Sequence, residues 1–369
     1  MDLVYFSPVP WQSFAQRPHK FVEWFQTRNG GRVLWVDPYP TRLPIASDIR
    51  FHRKADITAN ASKGELPPWL RIVQPWALPI EPLPGLALFN YVFFRAALKQ
   101  IEHFLVNANA CIGIGKPSEL ALRTVLRWPK LNTFYDAMDD FPAFYKGMSR
   151  YSMAAREKLI ARRVKHIVVS SSRLGEKFVT HKDKVVIALN ACSAQELPNL
   201  DVNRKKVASP VLGYVGTIGD WFDWDLIVRL AIENVDKRIR LIGPVFSPPP
   251  KSLPQNVEIH PACDHGNAIL AMQEFSVGLI PFKKTNLTAS VDPIKYYEYH
   301  ALGLPVISTK FGEMALRKEQ SGIFFFEDEV NFNSLISRAL AYQPDQYEIQ
   351  QFRNANSWGA RFDACGLFD

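Results

Sequence analysis

Two oppositely charged side chains, Lys295 and Glu298, occupy positions i and i+3 of a segment whose sequence predicts a helix. Pro293 suits a first helical turn because its missing N–H is not needed there, and Gly303 is typical of a residue just past a helix end. Residues at this spacing share one face. A helix N-terminus and an early lysine attract phosphate, while a carboxylate can accept hydrogen bonds from a ribose. The spacing is therefore consistent with an ordinary surface ion pair or with a pocket for a nucleotide diphosphate.

A second candidate is a group of three carboxylates, Asp136, Asp139 and Asp140, which follows a predicted strand over residues 132–136. Crowded carboxylates tend to raise at least one pKa toward the range of a useful general base. An N-capping aspartate or a solvated acidic loop is the alternative interpretation. Either alternative explains one carboxylate more easily than three.

Glycines mark a third candidate, a loop between a predicted strand that begins near residue 210 and a helix that begins near Asp223. Gly213, Gly216 and Gly219 would let backbone amides approach a phosphate closely, just before a helix start. A lone glycine loop is a weak signal. The signal gains weight because the loop lies in the same predicted domain as Lys295.

The segment from Asp292 to Thr309, Asp-Pro-Ile-Lys-Tyr-Tyr-Glu-Tyr-His-Ala-Leu-Gly-Leu-Pro-Val-Ile-Ser-Thr, resembles the nucleotide-sugar signature of GT-B glycosyltransferases of the family 4 type. That signature reads roughly N-P-x-K-x-x-E-Y-x-A-x-G-x-P-V-[IV]-x-[ST]. The resemblance implies an α/β fold of two Rossmann-like, doubly wound parallel-sheet domains that face a cleft. It also implies a donor nucleotide on the second domain and a C-terminal helix that crosses back to the first.

The resemblance assigns donor-binding roles to residues on several loops of the second domain, including backbone contacts to the nucleobase just after one strand. The predicted donor-binding residues are Gly216, Thr217, Gly219, His260, Pro261, Lys283, Ile294, Lys295 and Glu298.

Catalytic and acceptor-binding roles are predicted for the first domain. Inverting members of a related glucuronosyltransferase family have an aspartate base in a similar Ser-Asp-Asp string, which implies Asp139 first and Asp140 second as the base. Asp136 would instead orient the acceptor. The turn after the first strand is similar to that of bacterial surface-polysaccharide glycosyltransferases, and its predicted acceptor-binding residues are Trp11, Gln16 and Arg17.

The chain departs from the family pattern in two places that bear on mechanism. Many family 4 members have an arginine and a lysine after the glycine loop, whereas residues 220–224 are Asp-Trp-Phe-Asp-Trp. Positive charge for the diphosphate must then come from Lys295, with Lys283 or Lys284. Ser290 replaces the first glutamate of the retaining enzymes. This replacement favours an inverting mechanism.

Strand and helix patterns alternate along the whole chain, as expected for parallel sheets. They predict an acceptor-binding domain at residues 1–198, a linker at 199–209, a donor-binding domain at 210–345 and a returning helical segment at 346–369. No cofactor is predicted, and no metal, because the sequence has no Asp-x-Asp at a strand end and its histidines are scattered.

Composition restricts the partners. The 369-residue chain is 47% hydrophobic and carries a net charge of +8, but it has neither a basic tail nor zinc-finger spacing, which disfavours nucleic acid. Four widely spaced cysteines without a C-x-x-C pair are typical of reduced thiols in a cytosolic protein.

A long aromatic stretch at residues 83–106 could be a core helix or an interfacial helix with Arg95, Lys99 and His103 near lipid headgroups. A basic amphipathic helix with Arg156, Lys158, Arg162 and Arg163 is predicted at 153–164. The expected location is cytoplasmic, at the inner face of the cytoplasmic membrane.

The resemblance implies transfer of a sugar from a nucleotide sugar, expected to be a UDP-sugar, to a saccharide acceptor carried on a polyprenyl diphosphate, in surface polysaccharide synthesis. Two alternatives stay open: a catalytically silent subunit that binds sugar nucleotides, and a sugar-nucleotide epimerase of the same fold. Donor turnover would discriminate among the three.

Overall fold

The structure is a computed structural model that describes residues 1–13, 15–39, 65–81, 83, 86–106, 109–198, 209–318, 322–326 and 331–368. The chain divides into two compact units. The first contains Met1–Leu189 and the chain end from Phe362 onward, and the second contains Asn190–Arg361. Most of the predicted linker at 199–209 lies outside the described residues.

A parallel sheet forms the centre of the first unit. Its strands in the described residues are β1 (Asp2–Phe6), β2 (Val33–Val36), β3 (Leu70–Val73), β4 (Ala110–Ile114), β5 (Asn132–Ala137), β6 (His166–Val169) and β7 (Val185–Ile187). Their order is β3-β2-β1-β4-β5-β6-β7, and every adjacent pair is parallel. Side chains of the central strands are almost all buried, as expected for a sheet covered on both faces.

The helices of the first unit follow the strands in alternation. They are α1 (Arg17–Asn29), α2 (Tyr91–Leu105), α3 (Glu119–Arg127), α4 (Gly147–Arg163) and α5 (Ser172–Lys177), together with a 3-10 turn at Phe141–Phe144. Helix α1 has a proline in its first turn and ends at Gly30, whose φ of 62° is left-handed. This alternation is the pattern that the sequence predicts.

The second unit also contains a parallel sheet. Its strands are β8 (Val211–Val215), β9 (Arg238–Ile242), β10 (Val257–His260), β11 (Val277–Ile280), β12 (Val306–Ser308) and β13 (Ile323–Phe325), in the order β10-β9-β8-β11-β12-β13. The helices are α6 (Trp224–Glu233), α7 (His265–Gln273), α8 (Ile294–Ala301), α9 (Phe332–Ala341) and α10 (Gln346–Ala355). A further helix, α11 (Trp358–Asp363), spans the boundary between the second unit and the chain end of the first. The described strands of both units therefore form parallel sheets with helical connections, which confirms the predicted fold class.

The chain end packs into the first unit through aromatic side chains. Phe362 lies with its ring centre 5.1 Å from Phe21 and 5.4 Å from Trp24, and Phe368 lies 5.2 Å from Phe25. The Asn132 side-chain amide donates to the carbonyl of Leu367 at 3.0 Å.

The earlier part of the predicted returning segment behaves differently. Helix α10 belongs to the second unit, where Arg353 donates from Nε to the Ala301 carbonyl at 2.7 Å, at the end of α8. The chain therefore enters the first unit again at Phe362, and its first crossing to the second unit falls after Leu189. The domain bounds at residues 198, 210 and 346 stay predictions.

The helix predicted at 83–106 begins later than expected. Residues Leu86–Asn90 form a 3-10 turn, and the α-helix runs over Tyr91–Leu105; residues 82, 84 and 85 lie outside the described part. No helix among the described residues combines the length and apolar character needed to cross a membrane.

We expect Phe362→Ala to destabilise the first unit by about 3–5 kcal/mol, because it empties a fully buried aromatic site against Phe21 and Trp24. Denaturant unfolding followed by tryptophan fluorescence measures this effect. Phe89→Ala is the matched control, since that ring is largely exposed. Equal stability of the two variants would contradict the packing role of the chain end.

Candidate functional site

The glycine loop after β8 touches the loop after β9 through backbone atoms. The Gly216 N–H donates to the Ile242 carbonyl at 2.9 Å. Gly243 has a φ of 143°, and a Cβ at this position would lie 2.1 Å from the Gly216 carbonyl oxygen. Only glycine allows so close an approach at position 243. Gly216 has a separate constraint, since its φ is 152° and a Cβ there would lie 2.9 Å from the Tyr214 hydroxyl oxygen.

Further along the same loop, aromatic and backbone contacts hold the chain in place. A Cβ on Gly219 would lie 2.7 Å from the ring of Trp221, and the Tyr214 hydroxyl donates to the Thr217 carbonyl at 2.8 Å. The Trp221 carbonyl accepts the backbone N–H of Lys283 at 2.7 Å. The backbone of Lys283, an exposed residue that follows β11, therefore lies beside the glycine loop.

Helix α8 carries the ion pair that the sequence singles out. Lys295 Nζ donates to Glu298 Oε2 at 2.5 Å, and the two side chains are 23% and 7% exposed. Because Glu298 is buried, the pair is not the solvent-exposed ion pair that is the alternative interpretation of this spacing. Ile294, the first residue of α8, is half-buried beside Lys295.

One buried carboxylate, Asp292, fixes the turn before α8. It accepts hydrogen bonds from the Asn190 backbone N–H at 2.7 Å, the Tyr297 hydroxyl at 2.8 Å and the Arg317 guanidinium at 2.7 Å. The Asn190 side chain also donates to the Asp292 carbonyl at 2.6 Å. Burial raises the pKa of Asp292 to about 6, and Arg317 opposes the rise.

The loop after β10 reaches the same ion pair. His265 at the start of α7 places Nδ1 3.9 Å from Glu298 Oε1 and Nε2 3.4 Å from Glu196 Oε2. His260 and Pro261 are exposed, and the His260 carbonyl accepts the Gly243 N–H at 3.2 Å. Sequence reasoning missed His265, although its position just past a strand end in the donor domain was an available signal.

Cys263 lies in the same loop and is the exposed cysteine; Cys111, Cys192 and Cys365 are buried. Partial burial raises the pKa of the Cys263 thiol, Asp264 adds to the rise, and the positive charge of Lys295 opposes it. The thiol is therefore within electrostatic range of Lys295.

In the first unit, Asp136 at the end of β5 forms a buried ion pair with Arg17. Arg17 Nε donates to Asp136 Oδ1 at 3.0 Å and its NH1 donates to the Ala188 carbonyl at 2.7 Å. The Tyr5 hydroxyl donates to Asp136 Oδ2 at 3.2 Å. Arg17 and Asp136, two of the four predicted acceptor-binding residues, thus lie in a buried network in this structure, and their contact with an acceptor stays a prediction.

The two other carboxylates differ in their partners. Asp140 Oδ1 accepts from Lys177 Nζ at 2.6 Å, and the same ammonium lies 2.6 Å from Glu157 Oε2. Asp139 is half-buried, and burial raises its pKa to about 7; Arg17 opposes the rise while Asp136 and Asp140 add to it. Asp139 is therefore the carboxyl of this loop whose pKa suits proton removal near neutral pH.

The remaining predicted acceptor residues lie in the turn before α1. The Trp11 N–H donates to Asp37 Oδ1 at 3.0 Å, and its ring lies 5.2 Å from that of His19. The Gln16 N–H donates to His19 Nδ1 at 3.2 Å, at the start of α1. Trp11 and Gln16 are half-buried, so parts of both side chains remain accessible.

The structure thus brings the predicted residues together in two groups. Within the second unit, the loops after β8, β9, β10 and β11 meet at the carboxyl edge of the sheet, where open parallel sheets bind ligands. Within the first unit, the three aspartates and Arg17 gather at the ends of β5 and β7. Among the described residues, no three His, Cys, Asp or Glu side chains converge as a metal site requires.

Two parallel sheets with this strand order and a chain end that rejoins the first unit define the GT-B fold. Sucrose-phosphate synthase from Thermosynechococcus elongatus superposes with a TM-score of 0.67 at 14% identity, covering 99% of this chain and 97% of that chain. HepE from Anabaena, solved with UDP, gives a TM-score of 0.57 at 11% identity, covering 100% and 95%. These likenesses confirm the predicted GT-B fold.

In sequence, the chain is 22% identical over 307 residues to TuaH of Bacillus subtilis (strain 168), which covers 74% of this chain and 76% of that protein. The name of TuaH describes it as a teichuronic acid biosynthesis glycosyltransferase. No protein-family model matches the chain.

We expect UDP to slow maleimide labelling of Cys263, because a nucleotide held at Lys295 would cover this loop. At a UDP concentration ten times its dissociation constant, the labelling rate should fall about tenfold. Mass spectrometry of the native chain at pH 8 measures the rate, and Cys263→Ser identifies the labelled site. Unchanged labelling at a UDP concentration that saturates binding would place the nucleotide elsewhere.

Proposed function

We propose that the protein is a glycosyltransferase that moves a sugar from a UDP-sugar to a lipid-linked or growing saccharide acceptor in bacterial surface polysaccharide synthesis. The observation that carries the proposal is the pair of half-buried Lys295 and buried Glu298 on α8, at the carboxyl edge of the second sheet of a GT-B chain. The UDP-bound HepE structure and the teichuronic acid role in the name of TuaH support the donor and the pathway class.

The donor would bind by exchanging the partners of that pair. A diphosphate would attract Lys295 Nζ away from Glu298 and toward the N-terminal N–H groups of α8. The Glu298 carboxylate would then be available to accept hydrogen bonds from the ribose hydroxyls. Backbone amides of the Gly216 loop and the Lys283 ammonium would supply further donors to the phosphates.

Asp139 would act as the general base in the transfer step. Its carboxylate removes the proton of an acceptor hydroxyl while that oxygen forms a bond to the anomeric carbon of the sugar. The bond from the anomeric carbon to the diphosphate oxygen breaks, and UDP leaves with the electron pair. Lys295 and the α8 amides stabilise the negative charge that develops on the departing diphosphate.

A single displacement of this kind inverts the configuration at the anomeric carbon. The position that carries the first glutamate in retaining relatives is Ser290, a buried residue in the 3-10 turn Thr288–Ser290. A hydroxyl at this position offers no carboxylate beside the donor sugar, which supports inversion. The proposed reaction needs no metal, since the lysine and the helix terminus provide the positive charge.

The acceptor is proposed to be a saccharide on a polyprenyl diphosphate, and the protein to act at the inner face of the cytoplasmic membrane. A net charge of +8 supports contact with an anionic surface. The acceptor roles of Trp11, Gln16, Arg17 and Asp136 belong to this proposal.

Lys295→Ala should lower kcat/KM for donor turnover at least about 100-fold, because it removes the charge that faces the leaving diphosphate. UDP release from a panel of UDP- and GDP-sugars, with a membrane lipid extract as the acceptor source, measures the effect and identifies the sugar. Lys251→Ala, an exposed lysine of the same unit, is the control.

The possible outcomes separate the proposed enzyme from its two alternatives. Nucleotide binding without turnover by the native chain would favour the silent subunit. Conversion of the donor to an epimeric sugar without an acceptor would favour the epimerase. Full activity of the Lys295→Ala variant would reject the donor site itself.

The pKa of Asp139 predicts how the reaction rate depends on pH. A base works only when ionised, so with a pKa of about 7 the value of kcat/KM should fall about tenfold for each pH unit below 7 and level off above it. Asp139→Asn should lower kcat about 100-fold or more at pH 8. A rate that stays constant from pH 5.5 to 8 would assign the proton transfer to another group.

Two controls make this loss interpretable. Asp140→Asn removes the second candidate base, which is paired with Lys177, and should lower kcat much less than Asp139→Asn does. The pKa of Asp139 is higher in the folded protein than its ordinary value of 3.8. Ionisation of this carboxyl therefore destabilises the fold progressively as the pH rises from about 4 to about 7. Asp139→Asn should therefore melt no lower than the native chain at pH 8, which separates a lost base from a lost fold.

A further inference from the structure

Helix α4 has an outer face that combines apolar and basic side chains. Met148 is 67% exposed, Tyr151 is 78% exposed and Leu159 is 44% exposed. The exposed positions recur every three or four residues, so they form one stripe along the helix. The basic residues of the exposed surface are Arg150, Lys158, Arg162 and Arg163.

This fully described helix has no acidic side chain on its outer face. Its one carboxylate, Glu157, is buried, where it accepts from the Tyr135 hydroxyl at 2.8 Å and lies 2.6 Å from Lys177 Nζ. Arg156 is also buried, with its NH1 3.1 Å from Glu81 Oε1. The charge that α4 presents to solvent is therefore entirely positive.

The segment just before α4 continues the same character. Phe144, which is half exposed, and the exposed Lys146 connect the 3-10 turn to the helix. That 3-10 turn, Phe141–Phe144, directly follows Asp139 and Asp140. The exposed surface of α4 thus begins at the loop that carries the proposed base.

Helix α2, the aromatic helix that the sequence singles out for lipid contact, fits this role less well. Its Phe94 is fully buried in the core, and Phe93 packs edge-on against Trp76 with ring centres 4.5 Å apart. The helix exposes Tyr91 and Val92 beside its basic residues, but it also carries the partly exposed Glu102, so its outer surface is not free of acidic side chains. Much of the aromatic content that suggests a membrane helix is therefore used for packing within the protein.

We propose that the exposed surface from Phe144 to Arg163, which consists of the end of the 3-10 turn and the outer face of α4, docks on an anionic lipid bilayer. Apolar side chains of an interfacial helix enter the boundary between headgroups and acyl chains, while Lys and Arg remain at the headgroups. Anionic lipid complements the positive charge of α4, whose outer face carries no acidic side chain. Nucleic acid would match the charge but would leave Met148 and Leu159 without an apolar partner. The inference rests on the proposed function, since the lipid-linked acceptor is what brings the protein to a membrane.

Co-sedimentation of the full chain with lipid vesicles tests this inference. Vesicles of phosphatidylcholine alone are compared with vesicles of equal parts phosphatidylcholine and phosphatidylglycerol. The native chain should bind the anionic vesicles and release at high salt. The double variant Lys158→Glu with Arg162→Glu should bind about tenfold or more weakly, and so should Met148→Ser with Tyr151→Ser. The matched control on α2, Arg95→Glu with Lys99→Glu, should bind much more tightly than the α4 charge variant.

Several outcomes would overturn the inference. These are native binding that does not depend on anionic lipid, full binding by the α4 variants, a larger loss in the α2 control, or preference for nucleic acid over vesicles. Donor turnover with a lipid extract, measured separately, distinguishes the two proposals. Turnover without α4-dependent binding rejects only this inference, and α4-dependent binding without turnover rejects only the glycosyltransferase.

Discussion

The position of the candidate donor helix depends on one buried carboxylate, Asp292. Taking an ionised carboxylate out of water is costly unless hydrogen-bond donors replace the water. The Asn190 N–H, the Tyr297 hydroxyl and the Arg317 guanidinium supply those donors. Burial still raises the pKa to about 6, so the group is mainly ionised at neutral pH. Since only Pro293 separates Asp292 from α8, these contacts fix where the helix starts and hence where Lys295 projects.

Beside the glycine loop, the positive charge comes from a neighbouring loop of the sheet and not from the glycine loop itself. In this chain the residues after the loop are aromatic and acidic, where many glycosyltransferases of the family 4 type have basic ones. The Trp221 carbonyl instead holds the backbone of Lys283, which follows β11, the strand next to β8. Because parallel strands end at one edge of the sheet, a lysine from the adjacent loop can reach the region that a lysine of the glycine loop would serve.

Sequence patterns predicted the order and type of the elements better than their ends and partners. Pro293 and Gly303 bracket α8 almost as the pattern indicates, because both residues act through local backbone geometry. The start of the helix predicted at 83–106 was wrong, since the apolar run continues through a 3-10 turn that composition does not distinguish from a helix. Local pattern does not fix the residue at which the chain returns to the first unit, because amphipathicity shows that a helix packs but not against which helix.

The sequence alone does not distinguish the three aspartates as candidate bases. Their partners, Arg17 for Asp136 and Lys177 for Asp140, lie far away in the chain and reach the loop only through the strand order of the sheet. An ion pair occupies the oxygens of a carboxylate, which suits a supporting role rather than proton removal. Burial beside two other carboxylates raises the pKa of Asp139 to about 7. Neighbouring residues of one type therefore acquire different surroundings, and the raised pKa of Asp139 is what favours it as the base.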